Sequence, residues 1–343
     1  MKKILCALLV ALSAITHANS TPTLNIYNWS EYLPDDVLAQ FQQETGIHVN
    51  YSTYDSNETL YAKLKANPEA GYDIVVPSTY FVDRMIREKM LIPLDKTKLV
   101  HFNNLNPALL NKNFDPYNNY SIPYLSSSTG IAYNDNYFTK GSITRWTDLW
   151  QQRFSGQLLI LDDVREVFSM ALLSLNDSPN STDPQQIANA YATLVTLLPN
   201  VKLFNDEAVK AIYIDDDATV GMAWSGDIYL ANHANSHIQF VYPQDGYIIA
   251  LDSIAIPKNA PHLANAYAFI NFVLRADIAA RISQATGYMS PNAAAVALLP
   301  AAIRNNPIIY PDQATLKRGI FQTDAKDASA LYEKYLERLK IRA

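Results

Sequence analysis

Asp163 and Glu166, three residues apart in Asp162-Asp163-Val164-Arg165-Glu166 at the head of an apolar run, would lie on one side of a helix's first turn. There they could converge on one cation through charge-assisted hydrogen bonds. The same Asp-x-x-Glu pattern is also a capping signal, and the two readings are compatible. Trp29, Tyr32, Tyr80, Trp224 and Tyr288 stand beside polar or turn residues where strands are expected to end or loops to run. Any one of these rings could equally be core packing. As a set, with carboxylates at intervals, they suit an alkyl chain bearing ammonium groups: flat faces for methylenes and cation–π contact, acids for the charges.

Other chemistries find less support. Gly221-x-x-x-x-Gly226 approaches the spacing of a phosphate loop, yet Asp227-Ile228 follows where Lys-Ser/Thr is required. Asp227 would repel a phosphate and could accept from an ammonium group, or simply cap the next helix. His233 and His237 have the spacing of a metal-binding helix face, but Ala234 stands where a zinc hydrolase has glutamate, so no metal site is expected. No G-x-S-x-G elbow occurs, and the sole cysteine, Cys6, lies in an N-terminal leader. No catalytic residue and no cofactor are expected. A glycosidase-like use of Asp163 and Glu166 fits poorly, because carboxyls on one turn cannot readily flank a scissile bond from opposite sides. Asp215-Asp216-Asp217 reads as a solvated loop.

Positioning such groups requires an exported, two-lobed chain. Lys2 and Lys3, the apolar stretch Ile4 to Ile15 and a small-residue site at Thr16-His17-Ala18 mark residues 1–18 as a signal peptide. Its removal shifts the formal charge from 27 − 33 = −6 to 25 − 33 = −8. That balance disfavours nucleic acid and is compatible with a cationic small ligand. No later segment has the roughly 18 consecutive apolar residues of a membrane helix, so no membrane insertion is expected. The remaining 343 − 18 = 325 residues exceed one core and suggest two lobes.

Leu24 to Tyr27, Val49 to Ser52 and Asp73 to Pro77 read as strands, separated by helices at Pro34 to Thr45, stopped by Gly46, and Glu58 to Lys65. This β-α-β-α-β series predicts a parallel sheet with helices on both faces and a ligand crevice beyond the strands' carboxyl ends, where Trp29 and Ser78 fall. A second series has strands at Gly130 to Asn134, Gln157 to Leu161 and Ala218 to Trp224, with helices near Arg165 to Leu175 and Pro184 to Leu198. Tyr247 to Pro257 reads as a long strand suited to crossing between lobes, Leu263 to Ile282 as helix, and Asp327 to Lys340 as a helix with Ala330, Leu331, Tyr335 and Leu339 on its apolar face.

Through most of its length the chain resembles the periplasmic spermidine/putrescine-binding proteins of ATP-driven polyamine importers. The most specific segments are Tyr27-Asn28-Trp29-Ser30-Glu31-Tyr32, Tyr51 to Thr59 (YSTYDSNET), Val75-Val76-Pro77-Ser78-Thr79-Tyr80, Asp162 to Phe168 (DDVREVF) and Asp252 to Pro257 (DSIAIP). The resemblance implies a two-lobed α/β fold of the type II periplasmic binding protein kind, each lobe a mainly parallel sheet flanked by helices. It implies lobes of 19–129 plus 252–290 and 130–251 plus 291–343, a periplasmic location, a monomer, and an inner-membrane ABC permease as partner. Carried over by position, Trp29, Ser30, Glu31, Tyr32, Ser78 and Tyr80 would form one wall, and Asp163 and Glu166 would hold a terminal ammonium. Trp224 would be an aromatic face, Asp252 would pair with an inner amine, and Tyr288 and Gln322 would complete the enclosure.

Departures from the spermidine type matter. Ala250 stands where that type has tryptophan, leaving one wall bare unless Tyr247 or Phe321 fills it. Asp227 matches the putrescine type, and Asp206 replaces a small polar residue, most simply at the surface. A polyamine sensor on the same fold, passing its ligand state to a signalling partner, is the alternative to import.

Overall fold

The computed structural model describes residues 21–343; the expected signal peptide and Cys6 lie outside the described residues. Ten strands are present among them: β1 (Thr23–Trp29), β2 (His48–Tyr54), β3 (Ile74–Val75), β4 (Ser121–Asn134), β5 (Leu158–Ile160), β6 (Val201–Phe204), β7 (Val220–Trp224), β8 (Ile238–Val241), β9 (Tyr247–Ala255) and β10 (Gly319–Phe321). They form one sheet in the order β2-β1-β3-β9-β4-β7-β5-β6, with β10 added on β9 and β8 on β4.

Each flank of the sheet follows the predicted alternation. β1 pairs in parallel with β2 and β3, and β5 pairs in parallel with β6 and β7. The helix Asp35–Thr45 between β1 and β2 begins after Pro34 and stops at Gly46, whose φ of 70° and N–H bond to the Gln42 carbonyl close the last turn. The centre is different. β9 is antiparallel to both β3 and β4, and β4 is antiparallel to β7 and β8, so the whole sheet is mixed.

Two long strands make this centre. The first half of β4 pairs with β9 and its second half with β7 and β8, while β9 runs from β10 at its start to β3 at its end. A core on one side gathers Leu24, Ile26, Phe41, Ile74, Ile254 and Ile270, all essentially inaccessible. A separate core gathers Trp146, Phe154, Phe168, Tyr213, Met222 and Tyr332. Their independence follows from the two parallel flanks, each of which buries its apolar face under its own helices.

Four readings of the sequence need correction. The strand expected from Gly130 begins nine residues earlier, at Ser121. Pro123 and the run Ser126-Ser127-Ser128-Thr129 argue for loop in isolation, but a bulge between Pro123 and Leu125 absorbs the proline, and Ser126 Oγ donates to the Ala250 carbonyl at 3.0 Å. The expected helix Leu263 to Ile282 is two, Leu263–Val273 and Ala276–Thr286, broken at Arg275, whose guanidinium holds Asp277 and Glu44 at 2.7 Å each. Apolar periodicity continues through the break, which hides it. In the last helix, Ser329–Lys340, the buried stripe is Tyr332, Leu336 and Leu339, with Ala330 exposed. His237 lies beyond the helix Ser225–Ala234 that carries His233, and its Nδ1 sits 2.7 Å from Asp135 Oδ1. Among the described residues no cluster of His, Cys, Asp and Glu could hold a metal, and no helix is long and apolar enough to cross a membrane.

Candidate functional site

A cleft of about 680 Å³ lies between the two cores, at the carboxyl ends of β1, β2, β3 and β7. Every site residue named from the sequence lines it, from Trp29 to Gln322, together with Asp206 and Ala250.

The first wall is built where parallel strands stop. Trp29 ends β1; its indole N–H donates to the Val76 carbonyl at 2.9 Å, and its ring lies 4.8 Å from that of Tyr54, centroid to centroid. The chain then turns through Ser30 and Glu31, whose φ of 60° is left-handed backbone that a non-glycine residue rarely adopts. Tyr32 closes the turn; its backbone carbonyl accepts from Tyr124 OH at 2.6 Å, and its ring packs 5.4 Å from Tyr288. Ser78 follows β3 and Tyr80 follows it into the helix Thr79–Arg87.

Asp252, on β9, sits at the centre. Ser78 Oγ donates to its Oδ1 at 2.5 Å and Tyr32 OH to its Oδ2 at 2.9 Å. With 3% of its surface exposed, burial raises its carboxyl to a pKa of about 6, although both hydroxyls oppose the shift. Ala250 shares the Asp252 face because side chains alternate along a strand. Neither Tyr247, on the opposite face, nor Phe321 reaches the cleft, so the wall at Ala250 is bare.

Opposite Tyr80 lies the acid pair. Asp163 is the N-cap of the helix Val164–Ser174: its Oδ1 accepts from Arg165 N at 2.8 Å and Glu166 N at 3.0 Å. The capping signal was therefore real, and the same residue also faces the cleft. Glu166 does not return the bond as a capping box would. Its Oε1 is approached by Gln322 Nε2 at 3.5 Å, and Gln322 also donates to Ser169 Oγ at 3.2 Å. Its Oε2 is buried with no protein partner. Burial, then the neighbouring Asp163 charge, pushes the Glu166 carboxyl up to about 8. Tyr80 OH is likewise buried without a partner.

The remaining end is closed by Trp224, Asp227 and Tyr288. Trp224 ends β7, and Asp227 lies in the first turn of the following helix, where its Oδ2 accepts from Tyr288 OH at 3.4 Å. Gly226 permits this approach: a Cβ there would meet the Tyr288 ring at 2.4 Å. Burial raises Asp227 to about 6 against the pull of Lys210, and Asp206, half-buried in the wall and not at the surface as expected, is raised to about 6 by burial and the Asp162 and Asp163 charges. Gly221 lies inside β7, so the glycine pair forms no phosphate loop.

The result is a cleft in which burial outweighs the groups that favour the charged forms of Glu166, Asp252 and Asp227. An ammonium group entering it would return to each carboxylate the stabilisation that burial removed. Sequence reasoning missed Tyr54, which ends β2 by the same logic that singled out Trp29, and Lys210, whose charge runs against a search for carboxylates.

The family model for bacterial extracellular solute-binding proteins matches residues 36–311. A spermidine/putrescine-binding periplasmic protein of Escherichia coli strain K12 is 47% identical over 334 residues, covering 97% of this chain and 96% of its own. One from Salmonella typhimurium is 46% identical with the same coverage. A solved structure described as a putative spermidine/putrescine ABC transporter from Listeria monocytogenes superposes with a TM-score of 0.90 at 35% identity, over 94% of this chain and 100% of its own. The mixed sheet, the paired cores and the cleft between them are thus those of a type II periplasmic binding protein. The chain belongs to the bacterial extracellular solute-binding protein family.

Proposed function

We propose that the protein binds a linear polyamine, spermidine or putrescine, in the periplasm and hands it to an inner-membrane ABC importer. The observation that carries this reading is Glu166 Oε2, a buried carboxylate oxygen with no protein partner, facing a cleft lined by further acids. Burial keeps such a group neutral in the empty cleft, up to a pKa of about 8, and an arriving cation favours its ionised form. Asp163 and Glu166 hold one terminal ammonium, with Tyr80 and Gln322 beside it. Asp252, kept in place by Ser78 and Tyr32, meets an inner nitrogen. Trp29, Trp224, Tyr32 and Tyr288 cover the methylenes, each worth about 0.8 kcal/mol when buried. Ser30, Glu31 and Asp227 lie at the far end.

Closure of two lobes on the ligand completes the mechanism, and no bond is made or broken. The division we propose, 19–129 plus 252–290 against 130–251 plus 291–343, is supported by the two separate cores. Leu299, Ile303 and Ile309 pack with Ala280 of the first set, so this stretch bridges the two. Specificity follows from charge: a neutral or anionic solute would leave the acids desolvated and unpaired. Calorimetric titration of ligand-stripped protein with spermidine, putrescine and a neutral amino acid tests the proposal. Saturable binding of the amines alone is expected; silence towards both amines would overturn it.

A further inference from the structure

Lys210 is, among the described residues lining the cleft, its one basic side chain. It belongs to the short helix Val209–Ile214, and its Nζ reaches across the cleft to Glu31 Oε2 at 3.5 Å. Both side chains remain wet, at 38% and 86% exposure, so the pair itself contributes little to stability. The same ammonium also acts on Asp227, whose ionised form it favours.

The position of this charge along the cleft is what matters. Tyr80 is shared by the Asp163 and Glu166 end and, through Ser78 two residues away, by Asp252. Tyr32 bonds Asp252 and packs its ring, tilted, against that of Tyr288, which bonds Asp227. The acids therefore succeed one another as Asp163 and Glu166, then Asp252, then Asp227 with Glu31. A linear amine anchored at the first pair and running past Asp252 arrives at Asp227 and Glu31, where Lys210 already stands.

We propose that Lys210 is a specificity-determining residue: its ammonium, held on Glu31 at the end of the cleft that Asp227 also lines, occupies the place that the third nitrogen of a triamine needs, so the cleft as built favours a diamine. This rests on the polyamine reading above. A diamine is satisfied by the first two acid sets and leaves the Lys210–Glu31 pair intact. A triamine must bring its last ammonium beside a fixed positive charge or displace it. Two like charges about 5 Å apart in a wet cleft lower affinity by about five- to tenfold.

The test is a titration of ligand-stripped wild type, Lys210→Met and Lys210→Arg with putrescine and with spermidine, at low and at high salt. Lys210→Met is expected to tighten spermidine by about five- to tenfold and to change putrescine by less than about twofold. Lys210→Arg, which keeps the charge, should behave as wild type, and high salt should shrink the difference. Wild type that binds both amines, with an unchanged ratio in Lys210→Met, overturns the assignment alone. Wild type that binds neither amine overturns the polyamine reading, and the assignment with it. Thermal melting of Lys210→Met at the wild-type temperature is expected, since the side chain is half-exposed and on no core face.

Discussion

Asp252→Asn should separate what this residue costs the empty protein from what it gives the complex. Asp252 is 3% exposed and titrates at about 6 instead of 3.8 because burial disfavours its charge. The gap between 3.8 and about 6 corresponds to about 3 kcal/mol of instability in the ligand-free protein once the group is ionised. The sign is fixed by linkage: the folded state keeps its proton longer, so this penalty is absent below pH about 4, grows as pH rises, and is complete above pH about 6. Asparagine has the same shape, can accept from one hydroxyl and can donate to the other, and carries no charge. Ligand-free Asp252→Asn should therefore melt about 3–6 °C above wild type at pH 7 and level with it near pH 4. In the same protein spermidine should bind about 10- to 150-fold more weakly, from the loss of a charged hydrogen bond of about 1.5–3 kcal/mol. Scanning calorimetry at both pH values and isothermal titration at pH 7 give the two halves of the result. A variant that is less stable than wild type at pH 7 and binds with unchanged affinity would refute the reasoning, since burial of the charge would then cost nothing and the ligand would not use it.

Asp163→Asn keeps a good N-cap and removes a charge, so stability should hold within about 0.5 kcal/mol while amine affinity falls at least tenfold; Asp163→Ala should lose about 1 kcal/mol of stability as well, by chemical denaturation. Glu166 must give up a proton when an ammonium binds, because burial and Asp163 hold it protonated towards about 8. Amine affinity should accordingly rise with pH between about 6 and 8, and Glu166→Gln should flatten that rise in titrations run across this range. Ala250→Trp adds an aromatic face to the bare stretch of wall and should strengthen amine binding by about 0.5–2 kcal/mol; weaker binding would show that the bare wall is filled in the closed complex. Asp324, whose side chain is fully buried between Arg84 and Arg87, ties the helix Thr79–Arg87 to the segment after β10, and Asp324→Asn should cost about 2–4 kcal/mol in denaturant unfolding.

The flanks of the fold were legible because their signals are local. Pro34 and Gly46 bracket a helix, apolar runs mark β1 and β3, and the carboxyl ends of those strands place Trp29 and Ser78 at a crevice before any contact is known. The centre was not legible. β4 is polar where it floors the cleft, with Ser127 in the wall, and a strand whose apolar pattern is interrupted for that reason reads as loop. Its partner β9 was recognisable by its length, but antiparallel pairing between distant segments leaves no periodicity to read. Likewise the short strands β6 and β8 carry too few residues to alternate convincingly.

Within the site, the order of legibility follows how much each residue depends on distant ones. Asp163 and Glu166 announced themselves by spacing alone, because one turn of helix brings them together. Asp252 and Gln322 came only through family resemblance, since what unites them is the long-range pairing of β9 with β4 and the return of the chain after residue 319. Asp206 looked superficial because its local sequence is that of a loop, and the cleft wall it joins is made by other segments. Lys210 could not be seen at all: a cation facing Glu31 requires knowing that the turn after β1 and the helix Val209–Ile214 confront each other across the cleft.

The central claim, that a chain of ammonium groups supplies the partners this cleft lacks, is tested most directly by a crystal structure of the protein grown with spermidine. Nitrogens within about 3 Å of Glu166 Oε2 and of Asp252, with the methylenes between the Trp29 and Trp224 rings, are the expected result. An empty cleft at saturating amine, or an amine bound elsewhere with Glu166 Oε2 still unpartnered, would contradict it.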